Sequence, residues 1–193
     1  MALMEVNFFS KALMRPVTMN VILPADKVFF EEETEEDNKP FKTLYLLHGV
    51  MGNYTDWVTG TCIKRWAEEK NLAVVMPSGA NMFYMDHPDA NEYYSEFIGK
   101  ELVKITRRMF PLSHKKEDTF IAGLSMGGYG AIRNGLKYHD TFGYIAGLSS
   151  AMILEKMNVA DDSSPMFFER KSFLESVFGD LSKISDCEIN PEW

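Results

Sequence analysis

Short apolar runs alternate with helix-like segments along most of the chain. Four runs are typical of buried parallel strands, which are nearly continuous in apolar residues: 43–47, 72–76, 119–122 and 144–148. Helices are predicted between them over 59–70, 94–109 and 128–138. In the second of these, apolar residues recur at spacings of three and four, the pattern of an amphipathic helix that ends at Pro111. This order predicts an α/β fold with a mostly parallel sheet and helices on both faces.

The two ends of the chain carry weaker patterns. Segments 4–9 and 16–23 alternate apolar and polar residues in places, which predicts an antiparallel ribbon at one edge of the sheet. Residues 31–40 are mostly acidic and end in proline, so a solvated loop is expected there. A short helix is predicted at 167–178. No domain boundary is evident, and residues 1–193 are therefore expected to form one domain.

Composition narrows the classes of partner. The formal charge of -8 disfavours nucleic acid, because a phosphate backbone needs clustered Lys and Arg. No apolar run approaches the roughly 20 residues that span a bilayer, and the N-terminus lacks a signal-peptide pattern, so a cytoplasmic location without membrane contact is expected. Cys62 and Cys187 have neither zinc-site spacing nor the number for a disulfide framework. No metal or cofactor is implied.

The chemistry is suggested by Gly123-Leu124-Ser125-Met126-Gly127, which lies where a predicted strand ends and a helix begins. A nucleophile elbow requires this context, since the tight turn strains the central serine and leaves no room for side chains beside it. The amides at the start of the following helix, Met126 among them, would face the oxyanion formed when Ser125 attacks an acyl carbon. The alternative is a glycine-rich turn without a catalytic task.

A second motif, His48-Gly49-Val50-Met51-Gly52-Asn53, makes that alternative less plausible. It directly follows the first buried strand, where such folds place the other oxyanion donor. The amide of Val50 is expected to face the reacting carbonyl. His48 is more plausible as a residue that orders this loop than as a general base.

Three segments together resemble the tributyrin esterase branch of the esterase D family, which is related to S-formylglutathione hydrolases and feruloyl esterases: LYLLHGVMGNYTDW, VVMP and TFIAGLSMGGYGA. The resemblance runs from about Met4 to the end of the chain. It implies an α/β-hydrolase fold with Ser125 as nucleophile and oxyanion amides from Val50 and Met126. Substrate contacts are implied at Gly49, Asp56 and Trp57, the last two in the loop beside the acyl pocket.

The sequence departs from the family pattern after the serine. Family members carry two more strands, followed by the catalytic aspartate and histidine, whereas the only histidine after Ser125 is His139, about 20 Å away along a regular helix. His87 lies in a loop that follows a predicted strand, so it is a better candidate than His139, as a residue on the substrate side. His114 lies between a helix and a strand. The domain is therefore expected to lack its last two strands, its acid and its base. A chain cut short is favoured over a natural remnant or a half completed by another polypeptide.

The expected function is that of a serine carboxylesterase that hydrolyses short-chain acyl esters through an acyl-serine intermediate. Its partner would be a small-molecule ester. Two alternatives stay open: a thioesterase resembling S-formylglutathione hydrolase, which would use the same elbow, and a catalytically impaired relic that only binds. The unpaired strand edge at 144–148 also favours self-association, which leaves a homo-oligomer open.

Overall fold

A six-stranded, mostly parallel sheet organises the chain in the computed structural model, which describes residues 1–26, 39–152 and 159–186. Its strands are β1 (Ala2–Ser10), β2 (Arg15–Leu23), β3 (Lys42–Leu47), β4 (Leu72–Pro77), β7 (Thr119–Leu124) and β8 (Tyr144–Leu148). A separate two-stranded sheet joins β5 (Asp86–His87) to β6 (Glu92–Tyr93). The order in the main sheet is β1-β2-β4-β3-β7-β8. Most of the expected loop at 31–40 lies outside the described residues.

The four predicted parallel strands are confirmed as neighbours in this sheet. β3 lies between β4 and β7 and is parallel to both, and β8 is parallel to β7. The predicted edge ribbon is confirmed as well, because β1 and β2 form an antiparallel hairpin whose second strand pairs antiparallel with β4. Since parallel strands end at one edge of the sheet, the loops that follow β3 and β7 meet there.

The single helix predicted over 59–70 is wrong in detail. The structure has α1 (Asp56–Gly60) and α2 (Ile63–Glu69), separated at Thr61. Thr61 has an extended backbone, and its hydroxyl donates to the Trp57 carbonyl at 2.5 Å while accepting from the Ile63 amide at 3.1 Å. The side chain of Thr61 therefore satisfies backbone groups of both helices, and this favours a break at that position.

The helix predicted over 94–109 is present but changes its winding twice. It consists of α3 (Tyr94–Glu96), a π-helical turn at Phe97–Glu101 and α4 (Leu102–Met109). It ends as expected before Pro111, because a residue that precedes proline is forced towards extended backbone. The next helix, α5 (Met126–Lys137), begins two residues earlier than predicted. The helix predicted over 167–178 is divided by extended Arg170 into a 3₁₀ turn and α6 (Lys171–Phe178).

Two hydrophobic clusters cover the two faces of the sheet, which confirms the prediction of helices on both. Successive residues of β3 alternate between them, with Tyr45 in one cluster and Leu46 in the other. The larger cluster includes buried residues of the 94–109 helix, α5 and α6. The smaller one is closed by α1 and α2. None of the described helices has the length and apolar character needed to cross a bilayer.

Strand β8 forms an open edge of the sheet. All five of its residues are exposed, with Tyr144 at 64% and Leu148 at 47%. Among the described residues no strand pairs with its outer side. The single domain over residues 1–193, the cytoplasmic location and the homo-oligomer stay predictions.

Candidate active site

Ser125 lies in a strained turn between β7 and α5. Its backbone has φ 55° and ψ −115°, a conformation that non-glycine residues rarely adopt and that often marks functional sites. A methyl group added to Gly123 would collide with the backbone of Gly127, whose Cα would be 2.9 Å away. One added to Gly127 would lie 2.5 Å from the carbonyl oxygen of His48. Both glycines are therefore needed to bring β3, β7 and α5 together around the serine.

The segment that follows β8 holds the backbone of Ser125 in place. The Ser125 amide donates to the carbonyl of Leu148 at 2.9 Å, and its own carbonyl accepts from the amides of Ala151 and Tyr129, each at 3.0 Å. Ser149 has a positive φ of 45°. These bonds form a clamp, residues 148–151, on the peptide groups of Ser125.

The loop after β3 lies directly beside the serine. A Cβ built on Gly49 would be 3.7 Å from the Cβ of Ser125, so the two residues are in van der Waals contact range. The loop turns sharply, with the Gly52 amide donating to the Gly49 carbonyl at 3.2 Å and Met51 at φ 67°. Within the ranges that the structure describes, the Val50 amide donates no hydrogen bond. Met126 begins α5, so its amide has no acceptor within the helix.

His48 orders this loop from inside. The residue is 1% exposed; its Nε2 accepts from the Gly79 amide at 2.9 Å, so its Nδ1 carries the proton and donates to the Gly49 carbonyl at 2.7 Å. The hydroxyl of Tyr84 donates to the His48 carbonyl at 3.0 Å. Burial lowers the pKa of His48, which keeps the ring neutral. Both ring nitrogens are engaged, in agreement with a loop-ordering role and against that of a general base.

Asp56 and Trp57 were expected in the same loop, but they form the first two residues of α1, directly after it. The carboxylate of Asp56 accepts from the Asn53 amide at 3.2 Å and fills the space that a side chain at Gly52 would need. Trp57 packs against the cluster closed by α2, and its indole nitrogen is buried with no hydrogen-bond partner in the described part of the chain. Asp56 therefore stabilises the turn. The contact of either residue with an acyl group stays a prediction.

The other histidines make no hydrogen bond to Ser125. His139 is exposed just beyond α5, where its ring contacts the Leu136 carbonyl at 3.2 Å. His114 is exposed too. His87 has a buried Nε2 that lacks a partner among the described residues, and it lines a cavity of about 310 Å³ between residues 85–90 and the end of α6. The structure thus brings the elbow and the loop after β3 together without placing a described base against the serine.

Two features of the site were missed by the sequence reasoning. The clamp at 148–151 depends on which strands are neighbours, and no local pattern indicates that. Tyr84 is fully buried, supports the His48 carbonyl and packs where a side chain at Gly130 or Gly79 would lie. The glycine at 130, within α5, was the available signal, since glycine inside a helix often marks a close approach by another residue.

Comparison with known proteins agrees with this geometry. The model of the Esterase family, described as "Putative esterase", matches residues 10–178. An acetyl esterase of Caldicellulosiruptor saccharolyticus is 45% identical over 192 residues, which cover 98% of this chain and 72% of that protein. Among solved structures, FphF, a fluorophosphonate-binding serine hydrolase of Staphylococcus aureus, superposes with a TM-score of 0.80 at 34% identity, covering 99% of this chain and 71% of that one.

The S-formylglutathione hydrolase FrmB of Staphylococcus aureus superposes with a TM-score of 0.77 at 34% identity, with the same coverage of both chains. The fold and the matches together define a carboxylic ester hydrolase with an α/β-hydrolase fold. The chain belongs to the Esterase family. The relatives are longer than this chain.

Proposed function

We propose that the chain hydrolyses short-chain acyl esters through an acyl-serine intermediate on Ser125. The observation that carries the proposal is the backbone of Ser125, held at φ 55° between β7 and α5. Such a turn presents the hydroxyl above the end of the sheet and beside the first amides of the helix. Further support comes from the acetyl esterase relative at 45% identity.

In the proposed reaction the Ser125 hydroxyl gives its proton to a base and its Oγ bonds to the acyl carbon. The negative charge that develops on the carbonyl oxygen is stabilised by the amides of Val50 and Met126. The ester C–O bond then breaks, and the alcohol leaves with a proton. Water repeats the attack on the acyl-serine, which releases the carboxylic acid and restores Ser125. Gly49, Asp56 and Trp57 are the proposed substrate-side residues.

The rate of this reaction depends on a base that accepts the proton of Ser125. His48 has both ring nitrogens in hydrogen bonds and a pKa lowered by burial, so it is a poor acceptor. A serine hydroxyl with no base beside it is a weak nucleophile. We therefore expect slow, Ser125-dependent turnover by the 193-residue chain.

The test is hydrolysis of p-nitrophenyl acetate, butyrate and decanoate by the wild type, Ser125→Ala and the control Ser182→Ala. Ser182 is exposed, and within the described ranges its amide and hydroxyl bond to the nearby Asp180. Slow hydrolysis that prefers acetate and butyrate, disappears in Ser125→Ala and persists in Ser182→Ala supports the proposal. Equal rates for the wild type and Ser125→Ala contradict it. Labelling of Ser125 by a fluorophosphonate, located by peptide mass spectrometry, provides an independent readout.

A thioesterase is the second candidate, because FrmB, at 34% identity, acts as an S-formylglutathione hydrolase. It would use the same elbow and differ in the group that leaves. A kcat/KM for S-formylglutathione well above that for p-nitrophenyl acetate would favour it. A folded chain with neither Ser125-dependent hydrolysis nor fluorophosphonate labelling would instead favour an impaired protein that only binds.

A further inference from the structure

A groove of about 600 Å³ lies beside the β1–β2 hairpin, at the edge of the sheet opposite β8. One wall is the end of the hairpin, with Phe8, Phe9, Lys11 and Ala12, and the other is Tyr93 of β6 with the helical segment from 96 to 108. We call it the hairpin groove. Three strands separate β1 from β7, which puts the groove about 19 Å from the strand that carries Ser125.

The walls of the hairpin groove are fixed to one another. The carboxylate of Glu101 accepts from the hydroxyl of Ser10 at 2.5 Å and from the amides of Lys11 and Ala12 at 2.7 and 3.2 Å. The rings of Phe8 and Phe97 are 6.3 Å apart at their centres. The groove is therefore formed before any ligand arrives, which lowers the entropic cost of binding.

The π-helical turn Phe97–Glu101 lies in the helical wall and supplies Lys100 and Glu101 to the groove. A π turn adds one residue to a helical turn and occurs frequently at functional sites. Here it widens the helix at the place where the hairpin end is held. On the other side of the helix, the ring of Tyr138 occupies the space that a side chain at Gly99 would need.

The groove is cationic in a chain whose net charge is -8. Its lining includes Lys11, Lys100, Lys104 and Arg108. Both acids in the lining are engaged, Glu101 with the hairpin and Glu96 with Lys100 at 3.5 Å. In the part of the chain that the structure describes, the other three cations have no carboxylate partner.

A neighbouring cavity extends the positive charge. It has a volume of about 520 Å³, shares Lys100, Lys104 and Arg108 with the hairpin groove, and adds Arg107 and His114. No carboxylate is among its lining residues in the described ranges. A face of this kind attracts anions by long-range electrostatics.

The hairpin groove also has apolar lining residues. They include Phe8, Phe9, Tyr93 and Ile105, and Phe9 is 57% exposed although it is aromatic. Small-molecule sites combine a concave, largely apolar surface with a few polar groups that fix orientation. We propose that the hairpin groove binds a medium-chain alkyl carboxylate, with the tail against the apolar lining residues and the carboxylate between Lys104 and Arg108.

The probe is sodium octanoate, titrated by isothermal titration calorimetry into the 193-residue chain. Saturable binding of one octanoate is expected, at least tenfold weaker in Lys104→Ala/Arg108→Ala and unchanged in Lys64→Ala/Arg65→Ala. The control pair removes the same charge from exposed positions on α2. Circular dichroism checks that both double variants are folded. Octanol, which lacks the charge, should bind at least tenfold more weakly than octanoate.

The proposal does not depend on ester hydrolysis, and the test keeps the two apart. Octanoate binding should persist in Ser125→Ala, and its loss there would place the ligand at the active site and overturn the proposal. Equal binding by the wild type and the Lys104/Arg108 variant would also overturn it. So would co-sedimentation with phosphatidylglycerol vesicles in the absence of octanoate binding, since the face would then contact a membrane surface.

Discussion

Gly127 is a position where a single methyl group should damage the elbow. A Cβ there would lie 2.5 Å from the carbonyl oxygen of His48 and closer still to that of Leu47, whereas real Cβ atoms essentially never come within 3.0 Å of another heavy atom. Both obstacles belong to the backbone of β3 and its loop. They cannot rotate away as a side chain could, so α5 must move away from β3.

The expected change in the free energy of unfolding of Gly127→Ala is the sum of two opposing effects. Alanine in place of glycine favours a helix by about 0.5–1 kcal/mol. Overpacking costs about 1–3 kcal/mol, and rigid backbone on the receiving side favours the upper end. We expect Gly127→Ala to lower the free energy of unfolding by about 1–2 kcal/mol. It should also slow fluorophosphonate labelling of Ser125.

Urea unfolding, monitored by circular dichroism, measures the change in the free energy of unfolding. The matched control is Gly60→Ala in α1, because a Cβ at Gly60 would meet nothing within 4 Å. That change should leave the free energy of unfolding unchanged or raise it by about 0.4–1 kcal/mol. A Gly127→Ala variant as stable as the wild type, with equal labelling of Ser125, would refute the reasoning.

Three further outcomes are expected. Burial raises the pKa of Tyr45 to about 12 from 10.0, so the contribution of Tyr45 to the free energy of unfolding should be constant below pH 10 and fall by up to about 3 kcal/mol between pH 10 and 12. Urea melts of the wild type and Tyr45→Phe measure this contribution as a difference, and an equally steep fall in Tyr45→Phe would contradict this cause. His48→Ala should cost about 1–3 kcal/mol, because the Gly79 amide loses its acceptor. Since burial lowers the pKa of His48, the wild type should lose stability as the pH falls below 6.5, and His48→Ala should lack that loss. Ile145→Lys on β8 should reduce self-association in sedimentation velocity, whereas Leu3→Lys on the opposite edge strand should not; identical distributions for the wild type and Ile145→Lys would count against association through β8.

Local patterns predicted most of the sheet. Runs such as 72–76 and 119–122 identify strands because residues buried on both faces must be apolar along their length. Other details of the helices depend on a single side chain or on a local change in helical winding. The break at Thr61 comes from a hydroxyl that bonds to both flanking helices. The π turn at Phe97–Glu101 was not predicted, because one extra residue hardly alters an apolar spacing of three and four.

Some features of the candidate site were predicted from local patterns, and others were not. Ser125 was found because its glycines stand at fixed positions within five residues, and the loop-ordering role of His48 followed from its place at a strand end. The burial of Trp57 against the cluster closed by α2 could not be predicted, since it depends on how α1 packs. The hydrogen bonds that Leu148 accepts from Ser125 and that Ala151 donates to it could not be predicted without the strand order.

The clamp on Ser125 has a consequence for folding during synthesis. Ribosomes deliver the chain from its N-terminus, so β3, β4 and β7 emerge before Leu148 and Ala151 do. Until those residues arrive, the amide of Ser125 lacks its acceptor and its carbonyl lacks one of its two donors. Ser125 therefore has its full set of backbone hydrogen bonds only after β8 has docked on β7, and a nascent chain that ends before Leu148 carries Ser125 in an unfinished turn.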